Sequence, residues 1–176
     1  RSIDARRPIS RPFFHPGVMM PRMARALVNL SGVVPGEVLV DPFAGTGGIL
    51  IESALLGVRS IGLDADPLML RGARRNLASA DVVLADAAHL PLRSGSVDTV
   101  VSDLPYGQSV QIRGDSLDRL YDQSLAEVAR VLRPGRRAVG AGCAAAGTHR
   151  LGVETGGRLP GRSVRPVAAR AGGGAA

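Results

Sequence analysis

The stretch Asp41–Gly48, DPFAGTGG, decides the fold, because it joins a predicted strand to a predicted helix through a glycine-rich turn. The apolar run Glu37–Asp41 (EVLVD) precedes the turn, and Gly48–Leu56 continues with the periodicity of a helix. Glycine adopts conformations that a Cβ would forbid and lets the backbone approach a ligand, while a helix start offers unpaired N–H groups. The stretch therefore predicts a strand–turn–helix unit that binds a nucleotide-like ligand.

Short apolar runs and helical segments alternate on both sides of this turn. The further predicted strands are Ser60–Asp64, Val82–Asp86, Val97–Asp103 and Arg137–Ala141. The further predicted helices are Pro21–Leu30, Pro67–Leu77 and Ser116–Leu132, the last of which Pro134-Gly135 should stop. This alternation predicts an α/β fold with an open, mainly parallel, doubly wound sheet.

Aspartates end the first four predicted strands, at positions 41, 64, 86 and 103. In an open parallel sheet the ligand crevice lies beyond the carboxyl ends of the strands. We therefore expect Asp41, Asp64, Asp86 and Asp103 to line one rim of a pocket.

The spacing around the glycine turn narrows the choice of ligand. Leu50 stands where the dinucleotide fingerprint requires its third glycine, and no Lys-Ser/Thr pair of a phosphate-binding loop follows. Asp64 lies 19 positions after Gly45, the offset at which an acid accepts hydrogen bonds from both ribose hydroxyls. Asp86, followed by Ala87, is placed to accept from an adenine amino group. The alternative to a ligand-binding site is a glycine turn with a purely structural role, followed by aspartates that only cap strand ends.

The segment Asp103–Gly107, DLPYG, ends the fourth predicted strand beside this ligand. The amino nitrogen of a base is a poor nucleophile because its lone pair is delocalised into the ring. Hydrogen bonds to the Asp103 carboxylate and to a backbone carbonyl near Leu104-Pro105 would free that lone pair, and Tyr106 would stack on the base. The segment therefore predicts methylation of an amino nitrogen, with a turn punctuated by Pro and Gly as the structural alternative.

Length and composition limit which domain organisation and which classes of protein the sequence allows. The chain has 176 residues, enough for one core, and its formal net charge of +7 is concentrated after residue 133. Its one cysteine permits no internal disulfide, no Cys/His cluster suggests a metal, and no segment is apolar enough to cross a membrane, so we expect a cytoplasmic protein. We expect three parts: a lead-in with one helix (1–32), a core (33–143) and a poorly ordered Gly/Ala/Arg-rich tail (144–176).

Together, DPFAGTGG, GLDAD (Gly62–Asp66) and DLPYG resemble the class I methyltransferases, in the branch that modifies amino nitrogens of bases or of glutamine. Upstream, RPFFHPGVMMPRMARALVNLSG (Arg11–Gly32) resembles the lead-in of the tRNA guanosine-10 N2-methyltransferase family. The resemblance implies a Rossmann-like fold and S-adenosylmethionine as cofactor. It also implies a tRNA substrate and an upstream RNA-binding THUMP domain, which is absent from this chain.

This resemblance implies a set of site residues. The lead-in folds against the cofactor pocket in the family, which puts His15 near the methionine end. The expected cofactor-binding residues are His15, Asp41, Phe43, Gly45, Thr46, Gly47, Asp64, Asp86, Ala87 and Asp103. The expected catalytic residues are Asp103, Pro105 and Tyr106, with no metal.

The sequence departs from the family in two places and leaves other functions open. Leu104 replaces the first of two prolines in the fourth-strand motif, and the tail lacks the helix and antiparallel hairpin that end the family fold, so we expect the sheet to be incomplete there. Within enzymes, the alternatives are methylation of adenine N6 or of a protein glutamine. Outside them, the alternatives are a truncated, non-catalytic cofactor- or RNA-binding module and a nicotinamide-dependent oxidoreductase.

Overall fold

One open sheet dominates the part of the chain that the structure describes. The computed structural model describes residues 3, 6–77, 81–105, 114–141, 143–144, 147–148 and 151–154. The strands are β1 (Val38–Asp41), β2 (Arg59–Asp64), β3 (Asp81–Leu84), β4 (Val97–Asp103), β5 (Leu132–Ala141), β6 (Cys143–Ala144), β7 (Gly147–Thr148) and β8 (Leu151–Glu154). Six of them form the main sheet in the order β3-β2-β1-β4-β5-β8, and β6 pairs with β7 alone.

The direction of the strands confirms the predicted fold class. Within the main sheet, as far as the structure describes the chain, strands β1 to β5 pair in parallel and β8 runs antiparallel along β5. The chain moves outward from β1 to β3 and then returns to place β4 on the other side of β1. The strand order therefore reverses between β1 and β4, which is where ligands bind in open α/β sheets.

In the described residues, four α-helices connect or cover these strands: α1 (Pro21–Ser31), α2 (Gly48–Ala54), α3 (Pro67–Asn76) and α4 (Gly114–Val131); a short 3-10 helix, Pro8–Ser10, lies before them. Proline occupies the first helical position of α1, and Gly32, with φ of 69°, ends it in the left-handed conformation. The Asp66 side chain caps α3 by accepting a 2.7 Å hydrogen bond from the Leu68 N–H. These ends agree with the sequence prediction to within two residues.

Apolar side chains from the two faces of the sheet form two cores. Val40, Leu63 and Val100 pack with residues of α4 on one face. Leu39 and Val101 pack with residues of α1 and α2 on the other face. Successive residues of a strand point to opposite faces, so a strand covered on both sides reads as a continuous apolar run.

Two predicted strand boundaries are wrong. Strand β3 ends at Leu84, so Asp86 lies in the loop two residues beyond it. Strand β5 begins at Leu132, before Pro134-Gly135, because Leu132 already pairs with Val97 of β4 and the ladder resumes only at Arg137. The Pro-Gly pair therefore occupies a bulge within the strand, with Gly135 at φ of 77°, and α4 has already ended at Val131.

Residues 144–176 contribute at least one strand. Leu151–Glu154 forms β8 and pairs antiparallel with Arg137–Gly140 of β5, which sequence composition did not predict. The expectation that this tail is poorly ordered stays a prediction. Across the described residues, no helix combines the length and apolar character that crossing a membrane requires.

Candidate active site

The carboxyl ends of β1, β2 and β4 bring three of the predicted aspartates together. Asp41 ends β1, Asp64 ends β2 and Asp103 ends β4, and β1 lies between the other two strands. Burial raises the pKa of Asp41, and the negative charges of Asp103 and Asp64 raise it further. Three of the four acids that were predicted to line one rim therefore end neighbouring strands at the point where the strand order reverses.

The glycine turn is tied directly to the end of β2. The Ala44 N–H donates to the Leu63 carbonyl at 2.8 Å, and the Gly45 N–H donates to Oδ2 of Asp64 at 2.8 Å. Gly45 and Gly47 have φ of 51° and 84°, in the left-handed region. The φ of Gly47 therefore favours glycine, and a Cβ there would also have to displace Cδ1 of Leu77, which would lie 2.8 Å away.

The Asp64 carboxylate is held by two backbone N–H groups. Its Oδ2 accepts from Gly45, and its Oδ1 accepts from Asp66 at 2.8 Å. Burial raises the pKa of Asp64, while the backbone hydrogen bonds act in the opposite direction. An ionised carboxylate offers about four lone-pair sites, so a fixed Asp64 can accept two further hydrogen bonds from a ligand.

Asp41 joins β1 to β4 in the middle of the site. Its side chain is 1% exposed, and Oδ1 accepts from the Ser102 hydroxyl at 2.7 Å and from the Phe43 N–H at 3.1 Å. Burial raises the pKa of Asp41 to about 7, against the opposing effect of these two hydrogen bonds. Phe43 lines a small cavity with Ser102 and Leu104, so the glycine-turn and fourth-strand motifs meet at this point.

The fourth-strand motif is fixed by two backbone contacts. The Leu104 N–H donates to the Ala141 carbonyl at 2.7 Å, a bond that a proline at this position could not form. The Pro105 carbonyl accepts from the Tyr121 hydroxyl of α4. Burial raises the pKa of Asp103 to about 6. Tyr106, the third predicted catalytic residue, lies outside the described residues.

Asp86 and Ala87 follow β3 in a turn. Oδ1 of Asp86 accepts from the Ala88 N–H at 2.9 Å, and its side chain is 59% exposed. Ala87 is buried. The Asp86 carboxylate is therefore open to solvent in the loop after β3. Its contact with an adenine amino group stays a prediction.

The lead-in reaches the glycine turn through Asn76, at the end of α3. Oδ1 of Asn76 accepts from the Phe13 N–H at 2.8 Å, and its Nδ2 donates to the carbonyls of Phe13 and Thr46 at 3.0 Å each. Thr46 is itself buried. Nδ1 of His15 lies 2.8 Å from the Pro16 carbonyl, within the lead-in, so a cofactor contact by His15 stays a prediction.

Sequence analysis missed Ser102, Asn76 and Tyr121 as residues that hold the site. Ser102 directly precedes Asp103 near the end of a predicted strand. Its hydroxyl could therefore have been expected to donate a hydrogen bond to one of the strand-end aspartates, as it does to Asp41. Asn76 and Tyr121 carry no such signal. Tyr121 in particular fits the apolar stripe of α4, and its hydrogen bond depends on how that helix packs.

Comparison with known proteins identifies the family. The family model described as RMKL-like, methyltransferase domain matches residues 8–145. A relative from Methanothermobacter thermautotrophicus named tRNA (guanine(10)-N2)-dimethyltransferase is 48% identical over 124 residues, which cover 68% of this chain and 37% of the relative. A Bos taurus protein named tRNA (guanine(6)-N(2))-methyltransferase THUMP3 is 32% identical over 141 residues, covering 69% of this chain and 28% of that protein.

The crystal structure of TrmN from Thermus thermophilus has the same fold, with a TM-score of 0.63 and 30% sequence identity, and the match covers 72% of this chain and 39% of that chain. The chain thus spans 37% and 28% of the two curated relatives. These comparisons confirm the resemblance that the three motifs and the lead-in indicated. Because the matched residues contain the glycine turn, Asp64 and the fourth-strand motif, this chain belongs to the RMKL-like methyltransferase domain family.

Proposed function

We propose that this chain binds S-adenosylmethionine and methylates the exocyclic N2 amino group of a guanine in tRNA, at position 10. One observation carries the proposal: a partly desolvated carboxylate, Asp103, ends β4 beside the buried Asp41 and next to a glycine turn. The relatives whose names contain guanine-N2 methylation support the choice of acceptor. The chain spans little more than a third of the length of the first of these relatives.

The residues at the turn fit the cofactor. A Cβ on Gly45 would meet nothing within 4 Å, so open space lies over the turn for a ligand. Asp64 has acceptor sites left for the two ribose hydroxyls, and the exposed Asp86 is available to an adenine amino group. The shape of the turn is set by Phe43, Thr46 and Gly47. When bound, the cofactor supplies an electrophilic methyl group on a sulfonium.

The acceptor amino group is activated by Asp103 and Pro105 of this chain. A carbonyl oxygen has two lone pairs, so Pro105 can accept from the amino group while the Tyr121 hydroxyl occupies the other. Asp103 accepts the second N–H and takes the proton released by the transfer. Its pKa of about 6 leaves it ionised at neutral pH but more basic than an ordinary aspartate, which favours this role. Tyr106 stacks on the base and fixes its plane.

We also propose which molecules the chain binds. Its substrate is tRNA, and a THUMP domain upstream would supply most of the affinity for RNA. Such a substrate favours a cytoplasmic location.

The experiment that tests this function uses Asp103→Asn. The amide keeps the shape and can still accept hydrogen bonds through its oxygen, but it cannot take a proton, so turnover on unmodified tRNA in excess should fall about 100-fold or more. Affinity for S-adenosylmethionine, measured by calorimetry, should change less than about threefold. Asp81→Asn is the matched control, because Asp81 is exposed at the opposite end of β3 and should leave both quantities unchanged.

The product identifies the acceptor. Nucleoside analysis of the treated tRNA should show N2-methylguanosine or N2,N2-dimethylguanosine. N6-methyladenosine in its place, or a methylated glutamine in a protein substrate, would contradict the guanine assignment. Cofactor binding with no transfer to any RNA, even with a THUMP domain added, would show a non-catalytic binding module. Equal loss of turnover and cofactor affinity in Asp103→Asn would refute the role of Asp103.

A further inference from the structure

Tyr121, in the N-terminal half of α4, lies against the end of the fourth-strand motif. Its hydroxyl donates a hydrogen bond to the carbonyl of Pro105, which lies 16 residues earlier in the chain. Strands β4 and β5 are parallel, and a helix that connects two parallel strands runs back along the sheet. The N-terminal half of α4 is therefore near the carboxyl ends of the strands, where Asp103 also lies.

The direction of the Pro105 carbonyl depends on this hydrogen bond. The proline ring fixes φ of Pro105, but it leaves ψ, the angle that turns the carbonyl, to the surroundings. The backbone just before it is held by the Leu104 N–H, which donates to the Ala141 carbonyl at 2.7 Å. Among the residues that the structure describes, the donor to the Pro105 carbonyl itself is the Tyr121 hydroxyl. Removing this hydroxyl would therefore leave the carbonyl free to turn.

The position of the donor is fixed because α4 is packed firmly on the sheet. Val128 and Val131 belong to the core on this face and are 5% and 0% exposed. Oε2 of Glu127 accepts a 2.7 Å hydrogen bond from the Leu90 N–H. A close-packed helix does not shift easily, so Tyr121 holds its hydroxyl at one place beside the motif.

We propose that Tyr121 is a positioning residue of the methyl transfer, because its hydroxyl aims the Pro105 carbonyl at the amino group of the acceptor base. The inference rests on the proposed function, in which this carbonyl and Asp103 accept the two N–H groups of that amino group. A carbonyl oxygen has two lone pairs, so the hydrogen bond from Tyr121 leaves one for the base. A misplacement of about 1 Å at a reacting centre can cost about 100-fold in rate. Tyr121 therefore acts on turnover through Pro105, without touching the base.

Tyr121→Phe tests this role, because it removes the hydroxyl and keeps the ring. With unmodified tRNA as substrate, kcat should fall about tenfold to 100-fold. The KM for tRNA and the Kd of S-adenosylmethionine, measured by calorimetry, should each change less than about threefold. The kcat of the variant should keep the wild-type dependence on pH, because Asp103 is unchanged.

Ser124→Ala is the matched control on the same helix. The Ser124 hydroxyl also donates to a backbone carbonyl, that of Tyr121 at 3.2 Å, but this contact lies within α4. Its loss should leave kcat at the wild-type value. Equal losses of kcat in Ser124→Ala and Tyr121→Phe would show a general effect of helix packing and overturn the inference. A Tyr121→Phe variant that is unfolded in the assay, as judged by circular dichroism, would show a structural role and overturn it as well.

Three further results decide between this role and others. An unchanged kcat in Tyr121→Phe would show that the carbonyl keeps its direction without the hydroxyl, and the inference would be wrong. A raised KM with an unchanged kcat would show that Tyr121 contributes to substrate binding instead. A shifted pH dependence of kcat would show that Tyr121 acts on Asp103 and not on Pro105. A wild type that methylates no tRNA would instead refute the proposed function, and the role of Tyr121 with it.

Discussion

The buried carboxylate of Asp41 should make the fold less stable as the pH rises. Burial raises its pKa from 3.8 to about 7. Each pKa unit corresponds to about 1.4 kcal/mol, so ionised Asp41 should lower the free energy of unfolding by about 4 kcal/mol. Because the folded pKa lies above that of the unfolded chain, the stability is fully present below about pH 4 and is lost as the pH rises through about 7.

Replacing Asp41 with Asn should remove most of this dependence. The Asn Oδ1 can still accept from the Ser102 hydroxyl and the Phe43 N–H, as Oδ1 of Asp41 does. Burying the new amide group costs about 1–3 kcal/mol, so Asp41→Asn should be more stable than the wild type at pH 8 by roughly 1–3 kcal/mol. At pH 4.5, where wild-type Asp41 is already protonated in the fold, the variant should have no advantage.

Urea denaturation of the wild type and Asp41→Asn at several pH values between 4.5 and 8.5 measures this difference. Asp81→Asn is again the matched control, because it makes the same substitution at a side chain that is 56% exposed in a surface ion pair with Arg59. Asp103 and Asp64 also have raised pKa values, so the wild type and variant will share part of the slope. If the two curves run parallel across this range, Asp41 does not titrate as its burial requires and the reasoning is refuted.

Three further predictions concern catalysis, the turn and the core. Because Asp103 must be ionised to accept a proton and its pKa is about 6, kcat should fall about tenfold between pH 7 and pH 5, and a flat pH profile would contradict its role. Gly47→Ala puts a Cβ at an unfavourable φ of 84° and displaces the end of the Leu77 side chain, so by urea denaturation it should lose at least as much stability as Gly36→Ala, which has open space at a φ of 94°. A smaller loss than that of Gly36→Ala would contradict the strain expected at Gly47. Glu52→Gln removes the buried charge that two arginines share and should destabilise the fold by about 3–5 kcal/mol in the same assay, whereas a loss below about 1 kcal/mol would show that Glu52 is dispensable.

Sequence analysis predicted the turn and the strand-end acids because their signals are local. Gly45 and Gly47 occupy the left-handed conformations that glycine alone adopts easily, and Asp64 ends β2 as predicted, where it accepts from the Gly45 N–H. It placed Asp86 at a strand end and Pro134 at a helix end, and both placements were wrong by a few residues. Strand boundaries depend on which residues find a partner in the neighbouring strand, and β5 pairs with β4 on both sides of a bulge that local propensity does not reveal.

The sequence by itself determined the alternation of strands and helices, the glycine turn, and the acids at the ends of β1, β2 and β4. Each depends on residues close together in the chain, where backbone conformation and hydrophobic periodicity act directly. Only the tertiary structure decided that Asp41 is buried against Ser102, that Asn76 joins the lead-in to the turn, and that Arg6 and Arg25 share the buried Glu52. These contacts join residues far apart in the chain, so burial and charge compensation at each position arise only when the helices pack on the sheet.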